Sequence, residues 1–324
     1  MIIVGIESTA HTFGVAILED MKVLSNEKDS YTTETGGMIP TKTAEHHIDI
    51  CDIILTQALE KASKSIKEVD LIAFSQGPGI GHCLRIGAVF ARSLALILKK
   101  PLIGVNHCIA HLEIGRLAGA TDPILLYASG ANTQIIAYDG GKYRIFGETL
   151  DTGVGNFLDS FGRDIGFGFP AGPAIDKQAK NGKKYIPLPY SVKGMDVSFA
   201  GMHTFLRNKV IEKEKIEDIC YSVQETAFAM LLEVSERAMA HCEKKELVLG
   251  GGVACNTRLK EMSQIMCEDR GAKCFIPENQ FLVDNAAMIA LTGYLMFQAG
   301  NETTIEESNI RPYERTDDVE VNWR

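Results

Sequence analysis

The chain has 324 residues, 45% of them apolar and 23% charged, which is the length of two ordinary domains and the composition of a soluble globular protein. Its net charge of −9 argues against holding nucleic acid by global electrostatics, so any RNA contact must be local or shared with a partner. Eight cysteines, scattered without a CxxC pair, exclude a dense disulfide framework and a zinc knuckle and suit a reducing cytosol.

Met1 leads straight into IIVGIE, which reads as a strand and leaves no room for a signal or transit peptide. No segment has the uninterrupted apolar length of a membrane span, so a cytoplasmic protein without membrane contact is expected. A short polar turn through Ser8, Thr9 and His11 separates that strand from FGVAIL, and a third strand is expected around Lys22 to Ser25. Ile48, Cys51, Ile54, Leu55 and Ala58 recur at helical spacing and predict a helix from about Thr43 to Ala62. Strand LIAFS (71–75), a glycine-rich turn, a helix over 84–98, strand 101–105 and a short helix opening at Asn106 follow.

A second stretch repeats this plan. ILLYA (124–128) turns through Ser129, Gly130 and Ala131 and returns as TQIIAYD, and Gly140-Gly141 makes a hairpin into YRIFGETL. Helices are expected at 154–165, 173–181, 203–211 and 217–243, then strand LVLG, helix 256–270, strand KCFIP and helix 285–298. The repeated order predicts two α/β domains facing each other across a cleft, 1–120 and 121–300, with the last helix packing back on the first domain. Residues 182–202 read as a long surface loop, locally basic through Lys177, Lys180, Lys183, Lys184 and Lys193, and 301–324 as a polar tail draped over the surface.

His107 and His111 lie four apart in GVNHCIAH, which puts both imidazoles on one helical face. Such a pair is either a two-point ligand set for a divalent metal or two helix histidines satisfied by hydrogen bonds. A zinc-peptidase helix needs Glu directly after the first His as its base, and here that position is Cys108. Asp284, before NAAMIALTGYL, reads as a helix N-cap or as the oxygen ligand that two histidines need. Gly250-Gly251-Gly252 follows an apolar strand and opens a helix near Asn256, a recipe for close backbone approach by a nucleotide, or simply a turn. Gly77 to Gly81 lacks the Lys-Ser/Thr of a Walker loop and reads as a structural turn. The turns at 7–9 and 129–133 expose backbone N–H groups that could cradle phosphate. Two phosphate hairpins and a later glycine turn are the layout of the actin, hexokinase and Hsp70 ATPase-like fold.

GIESTAHTFGVAIL, QGPGIGHCLRIG, GVNHCIAH, LYASGANTQI, GVGNFLDSFGR, GPAIDKQA, VLGGGVACNTRL and LVDNAAMIA together resemble one family across nearly the whole chain. It is the archaeal and eukaryotic catalytic subunit of tRNA threonylcarbamoyladenosine synthesis, a KEOPS-complex member long labelled O-sialoglycoprotein endopeptidase. The resemblance implies a duplicated actin-like ATPase fold and a divalent metal, iron or zinc, on His107, His111 and Asp284, with Tyr127 as an added phenolate ligand. It further implies that Tyr127, Ala128, Ser129, Gly130, Ala131, Asp159, Gly172, Asp176 and Asn256 bind ATP or threonylcarbamoyl adenylate, with Gly251 at the glycine turn. The implied reaction moves the threonylcarbamoyl group to N6 of the adenosine next to the anticodon, in tRNAs that read ANN codons. Implied partners are tRNA, a small atypical kinase/ATPase, other KEOPS subunits and a separate synthase that supplies the adenylate. Two other readings stand beside it: a metallopeptidase, which Cys108 disfavours, and a non-catalytic actin-like ATP-binding scaffold.

Overall fold

The structure is a computed structural model that describes residues 1–33 and 38–324. Two five-stranded sheets carry the same topology. The first has order β3-β2-β1-β4-β5, with β1 (Ile2–Glu7), β2 (Thr12–Glu19) and β3 (Lys22–Ser30) antiparallel, and β4 (Leu71–Gly77) and β5 (Leu102–Asn106) parallel to β1. The second has order β12-β11-β6-β7-β8, with β6 (Ile124–Ala128), β7 (Thr133–Asp139) and β8 (Lys142–Glu148) antiparallel, and β11 (Glu246–Gly250) and β12 (Lys273–Phe275) parallel. The strands between β8 and β11 form one two-stranded hairpin, β9 (Val192–Lys193) with β10 (Asp196–Val197), inside the stretch expected as loop.

β1 is buried throughout because helices cover both of its faces. Ile2, Val4 and Ile6 join the apolar cluster of α1 (Pro40–Ala62) and α2 (Gly81–Leu98). α3 (His107–Glu113), α4 (Val154–Asp164), α5 (Gly172–Ala179), α6 (Ala200–Phe205), α7 (Ile216–His241), α8 (Thr257–Asp269) and α9 (Asn279–Leu282) follow in order. α10 (Ala286–Gln298) then returns to the first sheet, where Ala286 to Leu291 pack with Ile3, Ala73, Ile103 and Val105. The approach is so close that a Cβ on Gly5 would lie 2.3 Å from the Ala286 carbonyl oxygen, and one on Gly293 2.4 Å from Ala73 Cβ. Only glycine fits either position.

Two expectations are corrected. α2 is, by length and composition, apolar enough to cross a bilayer. It instead lies across the sheet, with Cys83, Leu84, Gly87, Ala88, Ala91 and Ala95 buried, and the helix includes Arg85 and Arg92. The tail is no loose drape: Ser308 and Thr316 are buried, and Trp323 packs into a cluster with Tyr127, Tyr143 and Leu112. Asn106 does cap α3, accepting from Cys108 N and Ile109 N, whereas the N-cap of α10 is Asn285 rather than Asp284. Asp284 is thereby free of capping duty.

Candidate functional site

His107 and His111 project from α3, at the end of β5, toward the loop that precedes α10. Their Nε2 atoms lie 3.4 and 3.3 Å from Asp284 Oδ1. Tyr127, from the end of β6, brings its hydroxyl 3.0 Å from His107 Nε2. Four ligands expected from distant parts of the sequence thus meet at one point, and the His107, His111 and Asp284 atoms lie within 4.8 Å of one another.

Glu7 was not foreseen, and it organises the cluster. It is wholly buried at the end of β1, and its Oε2 faces His107 Nδ1 at 3.0 Å. Its other oxygen accepts from Thr9 N at 2.7 Å and from the Thr9 hydroxyl. A carboxylate on Nδ1 holds a proton there and orients the ring so that Nε2 faces the cluster. The sequence signal was an acid closing an otherwise apolar strand, which reads as a turn residue until its partner is visible.

The electrostatics follow from burial. Burial opposes the charge on His107, but Tyr127, Glu7 and Asp284 overcome it and hold its pKa well above the ordinary value. Burial depresses His111, which favours the neutral imidazole. Burial would raise Asp284, yet His107 and His111 hold it well below the usual carboxylate range. Burial also raises Tyr127, so its phenol stays protonated. Glu7, wholly buried, and Asp284, half-buried, stand beside two imidazoles and leave a negative excess that a proton or a cation would balance. With two imidazole nitrogens, a carboxylate oxygen and a phenol oxygen converging, the donor set fits iron or zinc better than magnesium. Cys108 cannot serve as a peptidase base: it is buried, and burial pushes its thiol up to about 11.

A second group lies on the other sheet. The 128–131 hairpin packs against the glycine turn, since a Cβ on Gly251 would lie 2.3 Å from the Ala128 carbonyl oxygen. It also meets the start of α4, where Gly155 N and Asn156 N donate to the Ser129 and Gly130 carbonyls at 3.0 and 2.9 Å. Asp159 Oδ1 accepts from Ala171 N at 2.7 Å, next to Gly172, which has open space where a Cβ would stand. Asp176 accepts from Thr257 Oγ1 at 3.0 Å and pairs with Lys180 at 3.5 Å. Asn256 was read as a ligand donor and acceptor, but the fold occupies both ends of its amide. Its oxygen caps α8 through Arg258 N and Leu259 N, and its nitrogen donates to Gln224. The basic run is partly neutralised, because Lys184 pairs with Glu214 at 2.8 Å. Two further histidines are engaged elsewhere: His46 pairs with Asp29 at 2.9 Å and His11 stacks edge-on against Phe169.

Two sheets of one topology, with the paired hairpins and a glycine turn, define the actin-like ATPase fold. Solved structures agree: Thermococcus kodakarensis HypF aligns with a TM-score of 0.67 at 15% identity, over 92% of this chain and 47% of that one. The Clostridium difficile activator of 2-hydroxyisocaproyl-CoA dehydratase, with ADPNP bound, aligns at 0.56 and 13% identity, over 91% and 94%. Within that fold, residues 22–291 match the TsaD family model, tRNA N6-adenosine threonylcarbamoyltransferase, and the chain belongs to this family of transferases. A Thermococcus sibiricus protein of that name is 54% identical over the full length of both chains. A Methanosarcina mazei protein, named a probable bifunctional tRNA threonylcarbamoyladenosine biosynthesis protein, is 51% identical over 99% of this chain and 59% of its own length.

Proposed function

We propose that this chain transfers the threonylcarbamoyl group from L-threonylcarbamoyl adenylate to N6 of the tRNA adenosine next to the anticodon, in tRNAs reading ANN codons. The observation that carries the reading is the convergence of His107, His111, Tyr127 and Asp284 beside the glycine turn, where a Cβ on Gly250 would lie 3.7 Å from His111 Nδ1. His107, His111 and Asp284, with Tyr127, would hold one divalent iron or zinc ion. Bound there, it supplies Lewis acidity for the oxygens of the threonyl and carbamoyl groups.

The protein's own part is positioning. Glu7 fixes the tautomer of His107. The 128–131 hairpin and the open faces of Gly172 and Gly252 receive the nucleotide, with Asp176 toward ribose hydroxyls and Asp159 holding the Ala171 backbone in place. In the transfer, the amine nitrogen bonds to the carbamoyl carbon, the bond from that carbon to the phosphate oxygen breaks, AMP leaves, and the amine gives up one proton. Backbone N–H groups around the leaving phosphate stabilise its charge.

The chain works in the cytoplasm within a KEOPS complex on this reading, beside a small atypical kinase/ATPase and fed by a separate synthase. The outer faces of α1 and α2 support a partner of helical type. Their inner faces are core, but Ile48, Ile53, Val89, Leu96 and Ile97 are exposed. The test is single-turnover transfer from pre-made threonylcarbamoyl adenylate to tRNA transcripts. Modification of an ANN-decoding tRNA, absent when the target adenosine is replaced by guanosine, is expected. Equal incorporation into both transcripts would defeat the proposal.

A further inference from the structure

We infer that Glu113 and Arg324 are positioning residues for the helix that carries the two histidines, gripped at both ends by the segment after α10. The inference rests on the metal reading given above. α3 is only seven residues long and buried along its whole length. So short a helix does not hold itself, because most of its backbone groups lie at its ends. What touches those ends fixes its rotation and its axial position.

At the start, Asn106 caps α3 with its side-chain oxygen and donates through Nδ2 to Glu314 Oε2 at 3.0 Å. Glu314 is itself held by Arg311 Nη1 at 2.8 Å. At the far end, the wholly buried Glu113 carboxylate accepts from Arg116, from the Tyr143 hydroxyl and from Arg324 Nε, the last at 3.0 Å. The Arg324 guanidinium lies 5.0 and 5.6 Å from the Tyr138 and Tyr143 ring centres and reaches Asp122 Oδ1 at 3.2 Å. Along the side, Val319, Val321 and Trp323 pack with Cys108, Ile109 and Leu112 of the same helix.

The segment is anchored to both sheets. Gln76 Nε2 on β4 donates to the Glu307 and Asn309 carbonyls at 2.8 Å, and Arg315 pairs with Glu148 on β8 at 3.5 Å. Packing alone does not call for this chemistry. An apolar pair would fill the same space at lower desolvation cost than a buried carboxylate. What a carboxylate under three directed donors adds is direction. Glu113 is two residues beyond His111, so its position sets where that imidazole points, and metal ligands tolerate only a few tenths of an ångström of error.

The experiment uses the full chain as wild type, Arg324→Ala, Arg324→Lys and Glu314→Ala, stripped of metal. Each is titrated with Co²⁺, read by its visible absorption band against a competing chelator, and with ATP by calorimetry. Arg324→Ala is expected to weaken Co²⁺ binding about 10- to 100-fold, the usual effect of losing an outer support of a metal ligand. Arg324→Lys should recover part of that loss and Glu314→Ala should reproduce it from the other end, with ATP affinity kept in all three. Wild-type Co²⁺ affinity in folded Arg324→Ala and Glu314→Ala overturns the inference, as does a parallel loss of Co²⁺ and ATP binding. Wild-type protein that takes up no Co²⁺ overturns the metal reading, and this inference with it. Should Arg324→Ala fail to fold, Arg324→Lys and Glu314→Ala decide between the same outcomes.

Discussion

Neighbouring glycines at the turn after β11 should respond to substitution in opposite ways. Gly251 is buried with φ +90° and ψ 159°, a region closed to side chains, and its Cβ would stand 2.3 Å from the Ala128 carbonyl oxygen and 2.9 Å from Ser129 N. Both obstacles are backbone and cannot swing away. Backbone strain of about 1–3 kcal/mol and overpacking of a similar size put Gly251→Ala at about 2–6 kcal/mol of lost stability. A bulky residue at 251 therefore damages the fold before it reports on the nucleotide. Gly252 is exposed, with nothing within 4 Å of its Cβ position. Gly252→Val should leave stability within about 1 kcal/mol and place its methyl groups where the nucleotide lies. A tenfold to hundredfold loss of ATP affinity, about 1.4–2.7 kcal/mol, is expected. Urea denaturation and calorimetry on the two variants read both quantities. Wild-type stability in Gly251→Ala would refute the backbone argument, and unchanged ATP affinity in folded Gly252→Val would refute the placement of the nucleotide.

Other substitutions probe the metal cluster and the buried histidine. His107→Ala or His111→Ala should lose bound metal and most transfer activity while the fold survives; full metal content in the double variant, by elemental analysis, would sink the ligand assignment. Glu7→Gln keeps the shape but removes the charge on His107 Nδ1, so metal affinity should drop about 10- to 100-fold with little change in ATP binding. His47 is buried, donates to the Ala10 carbonyl at 3.0 Å, and has its pKa lowered by burial from 6.5 to about 4. Because the folded value lies below the unfolded one, the unfolded chain binds the extra proton, and stability is lost as pH falls from about 6.5 to 4. The loss is about 3 kcal/mol, and the wild type should shed it relative to His47→Gln in urea titrations across that range; parallel curves would contradict it. Isolated chain of net charge −9 should bind tRNA weakly and salt-sensitively, and transfer at the full complex's rate without KEOPS partners would show that they are not required.

Local chemistry was readable from the sequence and long-range contact was not. Alternation and helical spacing placed the strands and helices within a few residues, because each element's buried face is written in its own residues. Asn106 announced itself as a cap for the same reason. Glu7, Glu113 and Arg324 gave no such signal: each is a charge whose meaning lies in a partner 30 to 211 positions away. The proposed ligands His107, His111 and Asp284 were legible as residue types, but their meeting point depends on α10 crossing back to the first sheet. Asn256 looks the same in either role, since an amide before a helix is both a cap and a good ligand; here its oxygen serves the cap.

That crossing sets an order of events during synthesis. One face of the first sheet, with Ile3, Ala73, Ile103 and Val105, is covered chiefly by residues 286–291, with Ala110 and Ile114 beside them. While the ribosome is still making the second sheet, that apolar face lacks most of its cover and is open to wrong partners. Asp284 arrives with the covering helix, so the last of the proposed ligands and most of the cover of this face reach the protein together. A nascent chain thus has both histidines early but cannot close the cluster until nearly all of it has been made.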